Sequence, residues 1–418
     1  MPKLETAKHG EEPLEGARRP RILVGVTSSL TCVVLPGRVR ALREAGFHVF
    51  LLSAPGELLE RTAASEGVAS FAIPMERVIS PLADSIALTR IWRLLRNLKP
   101  DIVEFSTPKA GLLGTLAARF CRIPVRIYLL RGLKLETSRG LKRYLLLWAE
   151  RITSHCAHVV VCNSRSLRDR ALALGIAPAQ KLVLLGVGSS NGVNPMQFLP
   201  GSSGIRERLG IPHVAPVIGF VGRLTVDKGL PELLEAFALI LREEPSAYLL
   251  LVGWFDAAED KLNVAVRARI EGHPRIVCAG FVPDVAPYYR AMDLMVLPSW
   301  REGFPNAILE AAATGVPVVA TFCTGSRDAV IPEVTGVLVP PGCPESICEA
   351  VISLLRDPDR RRRMSAAARR WVVENYDDRR VLGMAVAFYK SLLGQAGTEG
   401  LDDARKAAET ATGLPVLP

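Results

Sequence analysis

No run of about 18 or more apolar residues occurs in the chain, so the sequence offers no bilayer-spanning segment. The first twenty residues (MPKLETAKHGEEPLEGARRP) are polar and mixed in charge, without the apolar core of a secretory signal. Histidine is scarce, with 6 residues, and forms no cluster at metal-ligand spacing; none of the 8 cysteines pairs with another as C-x-x-C. These gaps speak against a zinc module or a disulfide framework and favour buried thiols in a reducing compartment, so the cytosol is the expected location. Aromatic residues make up 6% of the chain, and few Tyr or Phe interleave the basic residues of its first half, which argues against a stacking platform for nucleic acid. The D-x-D at 357–359 lies between helical patterns, away from any strand end, and no catalytic metal or other cofactor is expected.

What is present is an ordinary globular composition, 49% hydrophobic and 22% charged over 418 residues, enough for two or three domains. The net charge of +10 is unevenly placed. Residues 1–200 carry 28 Lys and Arg against 15 Asp and Glu, while residues 201–418 carry 24 against 27. Such asymmetry suggests that the first half meets an anionic partner.

From residue 20 onward, short apolar runs alternate with helical patterns. ILVGV (22–26), VFLLS (49–53), SFAIP (70–74), DIVEF (101–105), VRIYLL (125–130) and HVVVC (158–162) read as strands, separated by helices near 37–46, 84–98, 110–120 and 140–155. A Gly-, Ser- and Pro-rich stretch at 186–216 interrupts the series and reads as a linker. A second series follows: VIGFVG (217–222), YLLLVG (248–253), IVCAGF (276–281), DLMVLPS (293–299), PVVAT (317–321) and GVLVP (336–340), with helices from Pro231, near 259–271, 285–291, 305–314 and 344–356, and a last helical stretch at 359–392. Strands alternating with helices predict parallel βαβ units, hence an α/β chain of two Rossmann-like, doubly wound domains with ligands at the carboxyl ends of the strands. The expected division is a flexible 1–20, a first domain over 21–200, a second over 201–392 whose last helix returns to the first, and a disordered 393–418.

Three segments carry candidate chemistry. In FVGRLTVDKG (220–229), a buried strand passes through Gly222, Arg223 and Lys228 into a helix; two fixed cations beside a glycine-bearing loop suit a diphosphate. In SWREGFPNAILEAAATG (299–315), a strand end leads through Glu302, Gly303 and Phe304 to a helix with Pro305 expected at its first position, Asn306 beside it and Gly315 as its stop. The amides at this helix start favour an anion. Glu310 lies deeper in the helix amid Leu309, Ala311 and Ala312, so its carboxylate needs a partner, and vicinal hydroxyls are one candidate. In GFVPDVAPYY (280–289), the turn at Phe281 and Val282 exposes backbone able to read a base edge. GVGSSNG (186–192) is not G-x-G-x-x-G, because its third glycine falls one residue late.

In this order and spacing the three segments resemble glycosyltransferase family 4, the large retaining group with the GT-B fold, and the resemblance runs from about residue 21 to 392. It implies an interdomain cleft, a hexosyltransferase that needs no metal, and a nucleotide-sugar donor on the second domain. On the E-x7-E match it implies that Glu302 lies at the donor sugar and that Glu310 holds the ribose; Arg223 and Lys228 match the pair that steadies the leaving diphosphate, and 280–285 the base contact. TPKAGLLGTLAAR (107–119), with Lys109, RGLKLETSRGLKRYLL (131–146) and GSSNGVN (188–194) resemble the branch acting on polyprenyl-diphosphate-linked sugars. That branch implies a UDP-sugar donor, a lipid-linked or glycan acceptor and bacterial cell-surface polysaccharide or glycoconjugate synthesis at the inner face of the plasma membrane. Arg131 stands where many members carry a histidine at the donor sugar, which adds a permanent charge. Helix 140–155, mixing Lys142, Arg143 and Arg151 with Leu145 and Trp148, and the basic helices near Arg38 and Arg90 suit an anionic lipid surface. The alternatives are a nucleotide-sugar epimerase and a non-catalytic nucleotide-sugar-binding protein on the same fold.

Overall fold

The computed structural model describes residues 18–256 and 264–394. Within them the apolar runs form two parallel sheets. The first comprises β1 (Arg21–Gly25), β2 (His48–Ser53), β3 (Ala69–Ala72), β4 (Ile102–Ser106), β5 (Val125–Leu130), β6 (Val159–Cys162) and β7 (Leu182–Leu184), in the spatial order β3-β2-β1-β4-β5-β6-β7. The second comprises β8 (Val217–Val221), β9 (Tyr248–Val252), β10 (Ile276–Gly280), β11 (Leu294–Leu297), β12 (Val318–Thr321) and β13 (Gly336–Val339), in the order β10-β9-β8-β11-β12-β13. Strands such as Leu294–Leu297 are buried on both faces because helices cover each side, which is why they read as unbroken apolar runs. This is the GT-B arrangement, two doubly wound domains.

Each sheet reverses its strand order once, between β1 and β4 in the first and between β8 and β11 in the second. The crevice at the carboxyl ends of such a pair is where doubly wound sheets bind ligands. The loops after β8 and β11 carry Arg223, Lys228 and Glu302, so the fold delivers the sequence motifs to that crevice.

Several elements extend the sequence reading. Helices Glu57–Glu66 and Arg165–Ala173 and the three-residue strand β7 lie in stretches without a marked pattern. The last helical stretch is two helices, Pro358–Tyr376 and Asp378–Gly394, broken at Asp377. At this break the chain crosses back: the Val193 amide donates to the Tyr376 carbonyl and the Asp378 amide to that of Val193. Ala385, Phe388, Tyr389 and Leu392 of the final helix then pack with Ile22, Val39 and Leu51 in the first domain's core. At the other end Arg18 reaches Asp101 at 2.8 Å. Residues 1–17 and 395–418, and the start of the helix expected near 259, lie outside the described residues.

Candidate active site

The backbone after β8 is drawn tight. Gly222 has φ 153°, and a side chain on the facing Gly253 would meet the Gly222 carbonyl oxygen at 1.8 Å, so the loops after β8 and β9 run in direct contact. The chain then makes a short 3₁₀ turn, Val226–Lys228, turns at Gly229 with φ 74°, and enters helix Leu230–Glu243 with Pro231 in its first turn.

Asp227 organises the cations. Its Oδ2 lies 2.7 Å from Arg301 Nη2 and 3.8 Å from Arg223 Nη2, and Thr225 Oγ1 donates to its Oδ1 at 2.6 Å. Burial pushes the Asp227 carboxyl up, but Arg301, the Thr225 hydroxyl, Arg223 and Lys228 together outweigh it and leave the group below its usual range. Arg223 also reaches Asp256 at 3.3 Å, and Arg77 of the first domain takes the same oxygen of Asp256 at 2.6 Å. Lys228 Nζ donates to Glu302 Oε1 at 2.5 Å, and Ser299 Oγ donates to that oxygen at 2.7 Å. Three cations from two loops therefore converge at the switch point, each now facing a carboxylate. A diphosphate offers them charge-assisted bonds of the same kind.

Helix Asn306–Thr314 starts one residue later than the sequence suggests: Pro305 is its N-cap, in extended backbone at φ −81° and ψ 105°, and the first helical amide belongs to Asn306. The Phe304 ring is buried, 5.2 Å from the Tyr376 ring, and serves packing between the crossover and the helix start. Tyr289 OH donates to Glu310 Oε2 at 2.8 Å, which supplies the partner that an acid among alanines requires. Burial pushes the Glu310 carboxyl up, partly opposed by that hydrogen bond. Phe281 is exposed and meets Trp254 edge-on at 5.6 Å, while Val282 is half-buried.

The first domain faces this group across a narrow gap. A Cβ on Gly303 would lie 1.8 Å from the Arg131 carbonyl oxygen, so the backbones of the two domains touch at Arg131–Gly132 and Gly303. Around that contact, Arg301 Nε donates to Thr137 Oγ1 at 3.0 Å, Thr324 Oγ1 to Glu136 Oε1 at 2.9 Å, and the Gly325 amide to Ser166 Oγ at 2.8 Å. Arg131 Nε and Nη2 are buried and have no hydrogen-bond partner among the described residues. Burial and then Arg38 pull the Arg131 pKa down to about 10, with Glu104 and Tyr389 opposing, so it stays charged at neutral pH. Lys109 is placed elsewhere: its ammonium bonds Asp84 at 2.6 Å and the Val78 carbonyl, both in the first domain.

The sequence reading did not select Arg77, Asp227, Asp256, Tyr289 or Arg301. Arg301 had a signal, since it precedes the first glutamate of E-x7-E. Arg77 had none, because it comes from the other domain.

Two family models cover this geometry. Residues 215–357, which hold Arg223, Lys228, Glu302 and Glu310, match "Glycosyl transferases group 1", and residues 34–188 match "Glycosyl transferase 4-like domain". The capsular polysaccharide biosynthesis glycosyltransferase CapM of Staphylococcus aureus is 32% identical over 89% of this chain and 97% of its own. This chain is a group 1 glycosyltransferase. An Escherichia coli enzyme named UDP-Gal:alpha-D-GlcNAc-diphosphoundecaprenol alpha-1,3-galactosyltransferase is 27% identical over 70% of this chain and 76% of its own. Among solved structures, HepE of Anabaena with UDP and glucose matches with a TM-score of 0.74 at 18% identity, over 88% of this chain and 99% of that one, a likeness of fold. The glycosyltransferase's relatives thus include proteins of bacterial capsular and lipid-linked sugar synthesis.

Proposed function

We propose that this glycosyltransferase moves a sugar, with retention, from a nucleotide diphosphate sugar (a UDP-sugar by preference) to a lipid-linked or glycan acceptor in bacterial cell-surface polysaccharide synthesis. One observation carries the reading: Arg223, Lys228 and Arg301 gather around Asp227 at the β8–β11 switch point, against the start of helix Asn306–Thr314. The UDP of HepE and the UDP-galactose in the name of the E. coli relative support it.

In this reading the diphosphate takes over Arg223 and Lys228 from their carboxylates. Glu302, released from Lys228, turns to the sugar hydroxyls, and Glu310, with one oxygen held by Tyr289, takes the ribose with the other. The bond from the anomeric carbon to the β-phosphate oxygen breaks as the acceptor hydroxyl attacks the same face, and that phosphate oxygen takes the acceptor's proton. Preorganised cations and amides stabilise the departing charge in a site from which the facing domain excludes water. They fill the part that a metal ion plays elsewhere, so no metal is assigned. A panel of UDP-, GDP- and dTDP-sugars with lipid-linked acceptors, run with and without chelator, tests this. Glycosylated lipid and free UDP in both conditions are expected; an altered sugar released without acceptor contradicts transfer, and loss of turnover with chelator contradicts the metal-free step.

The acceptor side fits a membrane surface. On helix Gly140–Cys156 the side chains Leu141, Tyr144, Leu145, Trp148 and Ile152 recur at helical spacing, and all face solvent, Leu141 at 74% and Trp148 at 59% exposure. Arg151 lies 5.6 Å over the Trp148 ring, and Arg139 and Lys142 flank the stripe. Among the described residues no helix is long and apolar enough to cross a bilayer. An apolar stripe with basic flanks docks on an anionic leaflet instead.

A further inference from the structure

The guanidinium of Arg131 has a fork without a partner. Nε and Nη2 form the side-on edge of an arginine, the edge that takes both oxygens of a carboxylate, and both atoms are buried without a hydrogen-bond partner among the described residues. The neighbouring Arg38 shows the contrast. Its Nε and Nη2 donate to Glu104 Oε2 at 3.0 and 2.8 Å, and its Nη1 to the Ser190 carbonyl at 3.0 Å. Tyr389 completes that cluster at 2.5 Å from Glu104 Oε2.

The charges around Arg131 do not balance. Arg38, Glu104 and Tyr389 are the charged and phenolic neighbours of the half-buried Arg131, so two guanidiniums share one carboxylate, whose Oε1 is also buried without a partner, and charge taken from water calls for a counter-charge. One monoanion supplies it. Position supports the same conclusion. Arg131 directly follows β5, and its backbone touches Gly303, the residue after Glu302. At the same sheet edge Ser106 Oγ, at the end of β4, and Asn163 Oδ1, just after β6, are also buried without partners. A carboxylate fork flanked by neutral polar atoms matches a sugar that bears both an acid and hydroxyls.

We infer that Arg131 is the receptor for a carboxylate on a sugar substrate, so that this enzyme handles a hexuronate-type sugar as the transferred unit or as the acceptor's terminal unit. The inference rests on the donor reading above, and Arg131 acts in it as a specificity-determining residue.

The test uses the full chain in two arms. In the first, UDP, UDP-glucose, UDP-glucuronate and UDP-galacturonate are titrated calorimetrically into the wild type, Arg131→Gln and Arg131→Lys. In the second, with UDP present, lipid-linked acceptors ending in glucose or glucuronate replace the donor series. A bidentate charge-assisted contact predicts a preference for the acid of about tenfold or more in one arm. The arm that shows it names the source. The preference is expected to vanish in Arg131→Gln and to shrink in Arg131→Lys, which keeps the charge but not the fork, while UDP alone binds all three proteins equally. If UDP binds normally but neither arm favours the acid, or the preference survives in Arg131→Gln, the inference is overturned and the donor reading stands. If the wild type binds no UDP, the donor reading falls and takes the inference with it. Should Arg131→Gln not fold, the wild-type preference and the Arg131→Lys response decide.

Discussion

Gly303→Ala isolates the contact between the domains. Gly303 is outside the positive-φ region, so an alanine there brings no backbone strain of its own. The obstacle is the opposite domain: the new Cβ would lie 1.8 Å from the Arg131 carbonyl oxygen, 2.3 Å from its carbonyl carbon and 3.0 Å from the Gly132 amide nitrogen. Neither backbone segment can yield as a flexible side chain would. Carbon and oxygen need about 3 Å or more, so the domains must part locally by more than about 1 Å. The diphosphate cations sit on the second domain, so nucleotide affinity should fall by less than turnover does. In the proposed reaction the first domain holds the acceptor and the second the donor, and a displacement of about 1 Å costs on the order of 100-fold in rate. The assay is paired: UDP affinity by calorimetry, and turnover with saturating donor and lipid-linked acceptor. Wild-type turnover in Gly303→Ala would refute a reaction that needs this contact. A loss of UDP binding equal to the loss of rate would place the glycine in nucleotide binding instead.

Lys228→Ala should lower turnover about 100- to 1000-fold, with a smaller effect on UDP binding, because its charge matters most as the diphosphate departs; unchanged turnover removes it from that role. Replacing Trp148 and Leu145 together by serine should weaken binding to vesicles containing phosphatidylglycerol in a flotation assay while leaving the melting temperature near that of the wild type, since both side chains face solvent; undiminished flotation speaks against this face. Glu150 should give stability a pH slope. Its carboxylate accepts from Tyr128 OH at 2.9 Å, and burial raises its pKa from 4.5 to about 7 against that bond. The folded state therefore holds this proton more tightly than the unfolded chain, so the contribution is complete below pH 4.5 and is lost as pH rises towards 7. The range is at most roughly 3 kcal/mol. Glu150→Gln should gain stability relative to the wild type as pH rises through this window in urea titrations; a pH-independent difference contradicts the buried-proton account.

Much of the architecture was legible because buried parallel strands read as uninterrupted apolar runs, as in LMVL (294–297) and LLLV (249–252). Arg223, Lys228 and Glu302 stood out because each follows such a run, and strand ends meet at the crevice. What escaped the sequence depends on approach in space. Nothing in a linear pattern says that Tyr289 lies against Glu310, or that Arg77 reaches across to Asp256. Nothing in the sequence says that the Phe304 ring packs under the crossover at Tyr376. The break at Asp377 was hidden inside a continuous helical composition, and only the return of the chain to the first sheet requires it. The Leu and Trp of helix Gly140–Cys156 fit either a core or a surface until the neighbouring helices were in place.

The central claim is that a nucleotide diphosphate sits at the β8–β11 switch point. Hydrogen exchange of the full chain with and without saturating UDP measures this directly. Slowed exchange is expected in peptides covering 222–229 and 303–311, with the carboxyl ends of β4 and β5 unchanged by UDP alone. Protection confined to the first domain, or no protection at either loop while UDP is bound, would contradict the account.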